Sequence, residues 1–117
     1  MFQAILDELV QRTGARAAAF CDYEGEAVAI SPRGDRDGEY DIKVAGATMC
    51  AAVMGMLERT GEVGAPRWAA VRTDSTAVLL ALLKDGYYVL LLLRAGNGEG
   101  RARRHLAEAA ARILADM

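Results

Sequence analysis

Apolar side chains at Phe2, Ile5, Leu6, Leu9 and Val10 recur at i, i+3, i+4, i+7 and i+8, the stripe of an amphipathic helix. Gly14 ends that pattern just after Arg12, a basic residue suited to a helix C-terminus. Two short strand-like runs follow, 15–22 (ARAAAFCD) and 26–31 (EAVAIS), joined by Tyr23-Glu24-Gly25 as a tight turn. The stretch 31–38 (SPRGDRDG) reads as a polar loop, with Asp37 placed to cap a second helix over about 40–60. Glu39 and Asp41 suit the positive end of that helix, and Gly61 with Pro66 stops it. Three more strand-like runs come next, 67–74 (RWAAVRTD), 76–84 (TAVLLALLK) and 87–95 (YYVLLLLRA), with Asp85-Gly86 as a hairpin signal between the last two. A loop over 96–98 leads into a final helix over about 99–116.

The order is α-β-β-α-β-β-β-α, and burial says more than order does. The runs 77–83 and 87–93 are uncharged throughout instead of alternating, so both of their faces must be covered. Hairpin links make the sheet antiparallel, and helices then lie on both of its sides. The fold class predicted is α+β: one three-layer domain over 1–117 around a five-stranded antiparallel sheet. The strand at 67–74 carries Arg67, Arg72 and Asp74, as a strand near a sheet edge does.

The middle helix departs from the usual surface pattern. Between Lys43 and Glu58 it has fourteen residues and no charge (VAGATMCAAVMGML). Placed at 100° per residue, Ile42, Met49, Val53, Met56 and Leu57 form a large-residue side that suits the sheet. The opposite side holds Val44, Thr48, Ala51 and Gly55, with Ala47 alongside, and these are mostly small. Small residues four apart let two helix backbones approach closely, so this side is expected to meet another subunit. An alanine-rich face is also tolerated in water, because alanine is a good helix former, but Val44 and Gly55 have no such explanation. A self-complementary patch is most often satisfied by a twofold dimer. The edge-like strand with Trp68, Ala70 and Arg72 could extend the sheet across the same axis. The expected interface is therefore Val44, Ala47, Thr48, Ala51, Gly55, Trp68, Ala70 and Arg72.

Composition narrows the function. A net charge of −2 gives no basic field for nucleic acid or an anionic membrane, and no 18-residue apolar span exists. The N-terminal MFQAILDELV places acidic residues where a secretory signal would carry its apolar run, and the two cysteines, Cys21 and Cys50, lack CxxC spacing. A cytoplasmic protein with no metal and no cofactor is expected. Gly96-Asn97-Gly98-Glu99-Gly100 lies between strand and helix, but its third glycine is one place early for GxGxxG, and no strand follows to close a βαβ unit. It reads as a strand-to-helix turn. Arg101, Arg103 and Arg104 crowd the start of the last helix and could form a basic spot for an acidic partner, but they read first as a solvated face, supported by the row Arg104, Glu108, Arg112, Asp116 at i+4 spacing. His105 reads as a boundary residue, and Asp22, Glu24 and Glu26 as a solvated hairpin tip. With Ser31 and Ser75 as the only serines, a Ser–His–acid triad has no material, and no enzyme is expected.

The element order, the first-hairpin pattern AAAFCDYEGEAVAIS and the later DGYYVLLLLRAGNGEGRARRHLAEAA resemble the Roadblock family over nearly the whole chain. That resemblance implies the middle helix on one face of the sheet and the terminal helices on the other. It also implies homo- or heterodimers that pair middle helices and join edge strands. Bacterial members bind or regulate small Ras-like GTPases, so the expected function is a homodimeric regulator or scaffold for such a GTPase. The GTPase's own residues would be repositioned in that case, with Arg72 as the one arginine that could act directly. An adaptor in a larger complex, without effect on nucleotide turnover, is the second expectation. A small-ligand sensor of profilin- or longin-like architecture is the third.

Overall fold

The computed structural model describes residues 1–34, 36–59, 64 and 67–117, and of Leu57 the backbone only. Its elements are α1 (Phe2–Thr13), β1 (Ala17–Cys21), β2 (Ala27–Ser31), α2 (Arg36–Arg59), β3 (Trp68–Arg72), β4 (Thr76–Leu82), β5 (Tyr88–Arg94) and α3 (Glu99–Ala115). The strands form one antiparallel sheet in the order β2-β1-β5-β4-β3. Gly14 closes α1 in the left-handed conformation, donating its N–H to the Val10 carbonyl at 2.9 Å.

Both hairpins form where turn chemistry placed them. At the first, the Asp22 carboxylate accepts the backbone N–H groups of Glu24 at 2.9 Å and Glu26 at 3.0 Å. This tip is a side-chain-locked turn. At the second, Asp85 (φ 58°) and Gly86 (φ 80°) are both left-handed, and Tyr87 N–H closes the turn on the Lys84 carbonyl at 3.1 Å. A Cβ at Gly86 would stand 2.8 Å from Tyr23 Cβ in the neighbouring hairpin tip. Gly86→Ala therefore combines backbone strain with a steric clash, and an expected loss of about 1–2 kcal/mol can be read from urea unfolding. An unchanged midpoint would mean the two hairpin tips do not pack as described.

The sheet separates two apolar layers. On one side α1 and α3 cover Ala18, Phe20, Leu79, Val89, Leu91 and Leu93 with Ile5, Leu6, Leu9, Leu106 and Ile113. On the other, α2 brings Ile42 and Met49 onto Ala17, Cys21, Leu80, Tyr88, Leu90 and Leu92. The whole apolar length of β4 and β5 is thus enclosed, which is why neither strand alternates. Glu8 fastens α1 to α3: its carboxylate pairs with Arg112 at 2.6 Å and with Arg12 at 2.7 Å. The Arg112 hydrogen bond, with the charges of Arg112 and Arg12, holds the Glu8 carboxyl below its usual range. In the predicted row on α3, Arg112 is thus turned to Glu8, while Glu108 lies 3.7 Å from His105.

Two details of α2 differ from the sequence reading. The helix starts at Arg36, not near Tyr40, so Asp37 lies inside its first turn with Glu39 and is not the cap. Acidic side chains there still favour the positive end of the helix. Met56, placed on the sheet side by helical phase, is 62 % exposed, whereas Ile42, Met49 and Val53 are buried as expected. The predicted stop at Gly61 and Pro66 lies outside the described residues.

Candidate partner interface

The side of α2 turned away from the sheet is open and mostly apolar. Tyr40, Val44, Ala47, Ala51 and Met54 follow one another at spacings of four, three, four and three, and all five are exposed. That alternation is the seam spacing of paired helices, with two alanines at its centre where backbones can come close. The large members are substantially open, Tyr40 at 70 %, Val44 at 48 % and Met54 at 47 %. Thr48 flanks the seam in solvent and Gly55 beside it is half-buried. Charges sit at its ends and edges: Asp37, Lys43, Glu58, and Asp41, which is paired with Arg16 at 3.2 Å. An apolar strip with a polar rim is the anatomy of a subunit contact.

The sheet-facing side of α2 is set by a glycine. A Cβ at Gly46 would lie 2.3 Å from Leu90 Cδ1, so this helix sits on β5 with no room for a side chain at that position. The outward seam is the direct consequence: fixing Gly46 against Leu90 points Val44, Ala47 and Ala51 away from the core.

The expected interface residues do not form one patch. Cross-strand register pairs Trp68, Ala70 and Arg72 with Ala81, Leu79 and Ala77, which belong to the α1–α3 layer. These three therefore lie on the opposite face of the sheet from α2. Ala69 and Val71 are the β3 residues on the α2 side, paired with Leu80 and Val78. Arg72 reaches Glu99 at the start of α3, Nε to Oε1 3.6 Å, and Trp68 lies under the guanidinium of Arg103, 3.9 Å from the ring centre. The sequence reading missed Tyr40 and Met54 on the seam, and Val71, which is 50 % exposed at the sheet edge. The 4-3-4-3 spacing was a sufficient signal for the first two; Val71 had none, because its face depends on strand register.

A buried polar cluster lies under α2. Tyr88 is fully buried, and its hydroxyl has no hydrogen-bonding oxygen or nitrogen among the described residues. The thiol of Cys21, its cross-strand partner, is a weak polar neighbour. Burial pushes the pKa of the Cys21 thiol up to about 11 and raises that of the Tyr88 phenol and of the Cys50 thiol, so all three are neutral at physiological pH. A neutral, buried thiol is a packing group and a poor nucleophile. His105 is nearly enclosed between α1 and α3, a boundary position as read. Among the described residues no three His, Cys, Asp or Glu side chains gather to hold a metal, and no helix is long and apolar enough to cross a membrane.

No family model matches the chain, and no curated protein does. Solved structures do. MglB of Myxococcus xanthus superposes with a TM-score of 0.80 at 13 % identity, over 97 % of this chain and 91 % of that one. A Roadblock/LC7 domain from Streptomyces avermitilis gives 0.79 at 16 %, over 95 % and 92 %. Profilin II of Acanthamoeba castellanii follows at 0.66 and 15 %, over 99 % and 98 %. All share a layered architecture, and the first two follow this chain more closely than the third. The chain has the Roadblock fold, in the form seen in bacterial MglB and Roadblock/LC7 domains.

Proposed function

We propose that this chain is a homodimeric regulator or scaffold that binds a small Ras-like GTPase in the cytoplasm and acts through protein contacts. The observation that carries the proposal is the apolar seam on α2: five outward positions at helix-pairing spacing, left open on a single chain. Two copies meeting there about a twofold axis would bury Val44, Ala47, Ala51 and Met54, with Thr48 and Gly55 at the margin. The choice of a GTPase as partner is supported by the likeness to bacterial Roadblock structures and by the sequence resemblance to that family. In this reading the protein alters hydrolysis by positioning the GTPase's own residues. Arg72 is a poor direct participant: it is drawn to Glu99 and stands on the sheet face away from the seam. Arg72→Ala is accordingly expected to leave any stimulated hydrolysis rate unchanged, measured as phosphate release under single-turnover conditions. A drop of about a hundredfold or more would reinstate it as a direct contributor to the reaction.

Capture with the tagged protein from its native lysate, in GDP or in a non-hydrolysable GTP analogue, tests the central claim. Enrichment of a Ras-like GTPase with the analogue alone is the expected result. A stable multiprotein complex recovered regardless of nucleotide would replace the regulator with an adaptor. Recovery of no GTPase in either state would overturn the regulator.

A further inference from the structure

On the face of the sheet away from α2, the space between α3 and the β3–β4 pair is a groove of about 240 Å³. Its floor is apolar: Leu79 and Ala81 of β4, with Leu106 and Ala110 of α3. Its rim is cationic and aromatic, formed by Arg67, Arg103 and Trp68. The guanidinium carbon of Arg103 lies over Trp68, 3.9 Å from the ring centre, so the indole holds the guanidinium at the mouth by cation–π attraction. Among the described residues, the ion pairs engage Arg12, Arg16, Arg72, Arg112 and His105, and neither Arg67 nor Arg103 has a carboxylate partner. Trp68 itself is 46 % exposed, although an aromatic ring of that size favours burial.

We propose that this groove docks a segment of a partner protein in which an aliphatic side chain lies beside a carboxylate. The aliphatic group would enter between Leu79, Ala81 and Leu106. The carboxylate would meet the unpaired guanidinium groups of Arg103 and Arg67, whose forked donors match it. Charge sign selects the class: a neutral apolar segment would leave two cations unpaired as the groove closes over, and a basic one would add repulsion. A second copy docked on the α2 seam leaves this groove open, because the two surfaces are on opposite faces of the sheet. The proposal therefore stands or falls apart from the dimer and the GTPase.

Trp68 is the only tryptophan, so its fluorescence reports on the site directly. The probe is a short synthetic peptide alternating leucine and glutamate, titrated into the full chain, with the leucine–lysine counterpart as the control. A saturable blue shift with the acidic peptide, weakening as salt rises, is expected, and no shift with the basic one. Arg103→Glu should weaken the acidic peptide at least tenfold and, combined with Arg67→Glu, should transfer binding to the lysine peptide. Both positions are exposed, so these variants should keep the wild-type circular dichroism and oligomeric state by light scattering. Equal binding of the two peptides, binding of neither, or acidic-peptide affinity unchanged in Arg103→Glu would each overturn the proposal. A variant that loses the dimer while its peptide binding changes as expected would count against the seam alone.

Discussion

Ala51→Glu is expected to leave the chain monomeric, with self-association weakened at least a hundredfold. Ala51 lies at the centre of the α2 seam, exposed on the single chain, and has Ala47 and Gly55 as its neighbours one helical turn away. Glutamate at that site meets no charge within its own helix and keeps good helix propensity, so the isolated fold should change by less than about 0.5 kcal/mol. In a twofold pair the same residue would meet its own copy. Two carboxylates would be desolvated side by side in a strip chosen for alanines, an arrangement that costs several kcal/mol. A hundredfold weakening corresponds to about 2.8 kcal/mol, well inside that cost. Sedimentation of wild type and variant over a concentration series gives the comparison, with thermal unfolding of each as the control for folding. A variant that unfolds like wild type and still pairs with wild-type affinity would show that the seam is not where copies meet.

Leu90→Ala should be the most destabilising of the simple truncations, at about 4 kcal/mol. Leu90 is fully buried on β5, the central strand, between β1 and β4 and beneath α2. The strands on either side, β1 and β4, are held by sheet hydrogen bonds and cannot collapse into the vacated space, which puts the cost in the upper part of the usual range of about 2–5 kcal/mol. Against a total stability of about 5–15 kcal/mol, that is a large share. Gly46 makes the prediction sharper. Gly46→Ala alone forces its Cβ into Leu90 Cδ1, an overpacking worth about 1–3 kcal/mol less whatever helix propensity returns. In the double variant the new methyl occupies space that Leu90 has left. The pair should therefore be at least 1 kcal/mol less destabilised than the sum of the singles, measured by urea unfolding of all four proteins. Strict additivity would mean that α2 does not rest on β5 at this point.

Much of the architecture could be read from residue patterns because the patterns are periodic and local. The 3.6-residue stripe of Phe2, Ile5, Leu6 and Leu9, the αL glycine at 14 and the Asp85-Gly86 turn each act within one element, and each appears as read. The start of α2 was missed because Arg36, Asp37 and Gly38 resemble a loop in composition. Glycine within a helix costs about 1 kcal/mol, which packing elsewhere along twenty-four residues outweighs. Met56 was misplaced for a related reason. Helical phase gives a direction from the axis, but α2 packs on β1, β5 and β4, and phase cannot show where along the helix the sheet beneath it ends.

For this protein the sequence by itself determined which segments are helix and strand, that β4 and β5 are covered on both faces, and that α2 has a second, mostly small-residue side. Those are consequences of the period and the size of side chains along a single element. Only the tertiary structure decided that Trp68, Ala70 and Arg72 stand with α3 while Ala69 and Val71 stand with α2. Alternation along a strand says that neighbours point to opposite faces, but the choice of face is made by pairing register, and a slip of one residue would invert it. That choice puts the α2 seam and the Trp68–Arg103 groove on opposite faces of the sheet.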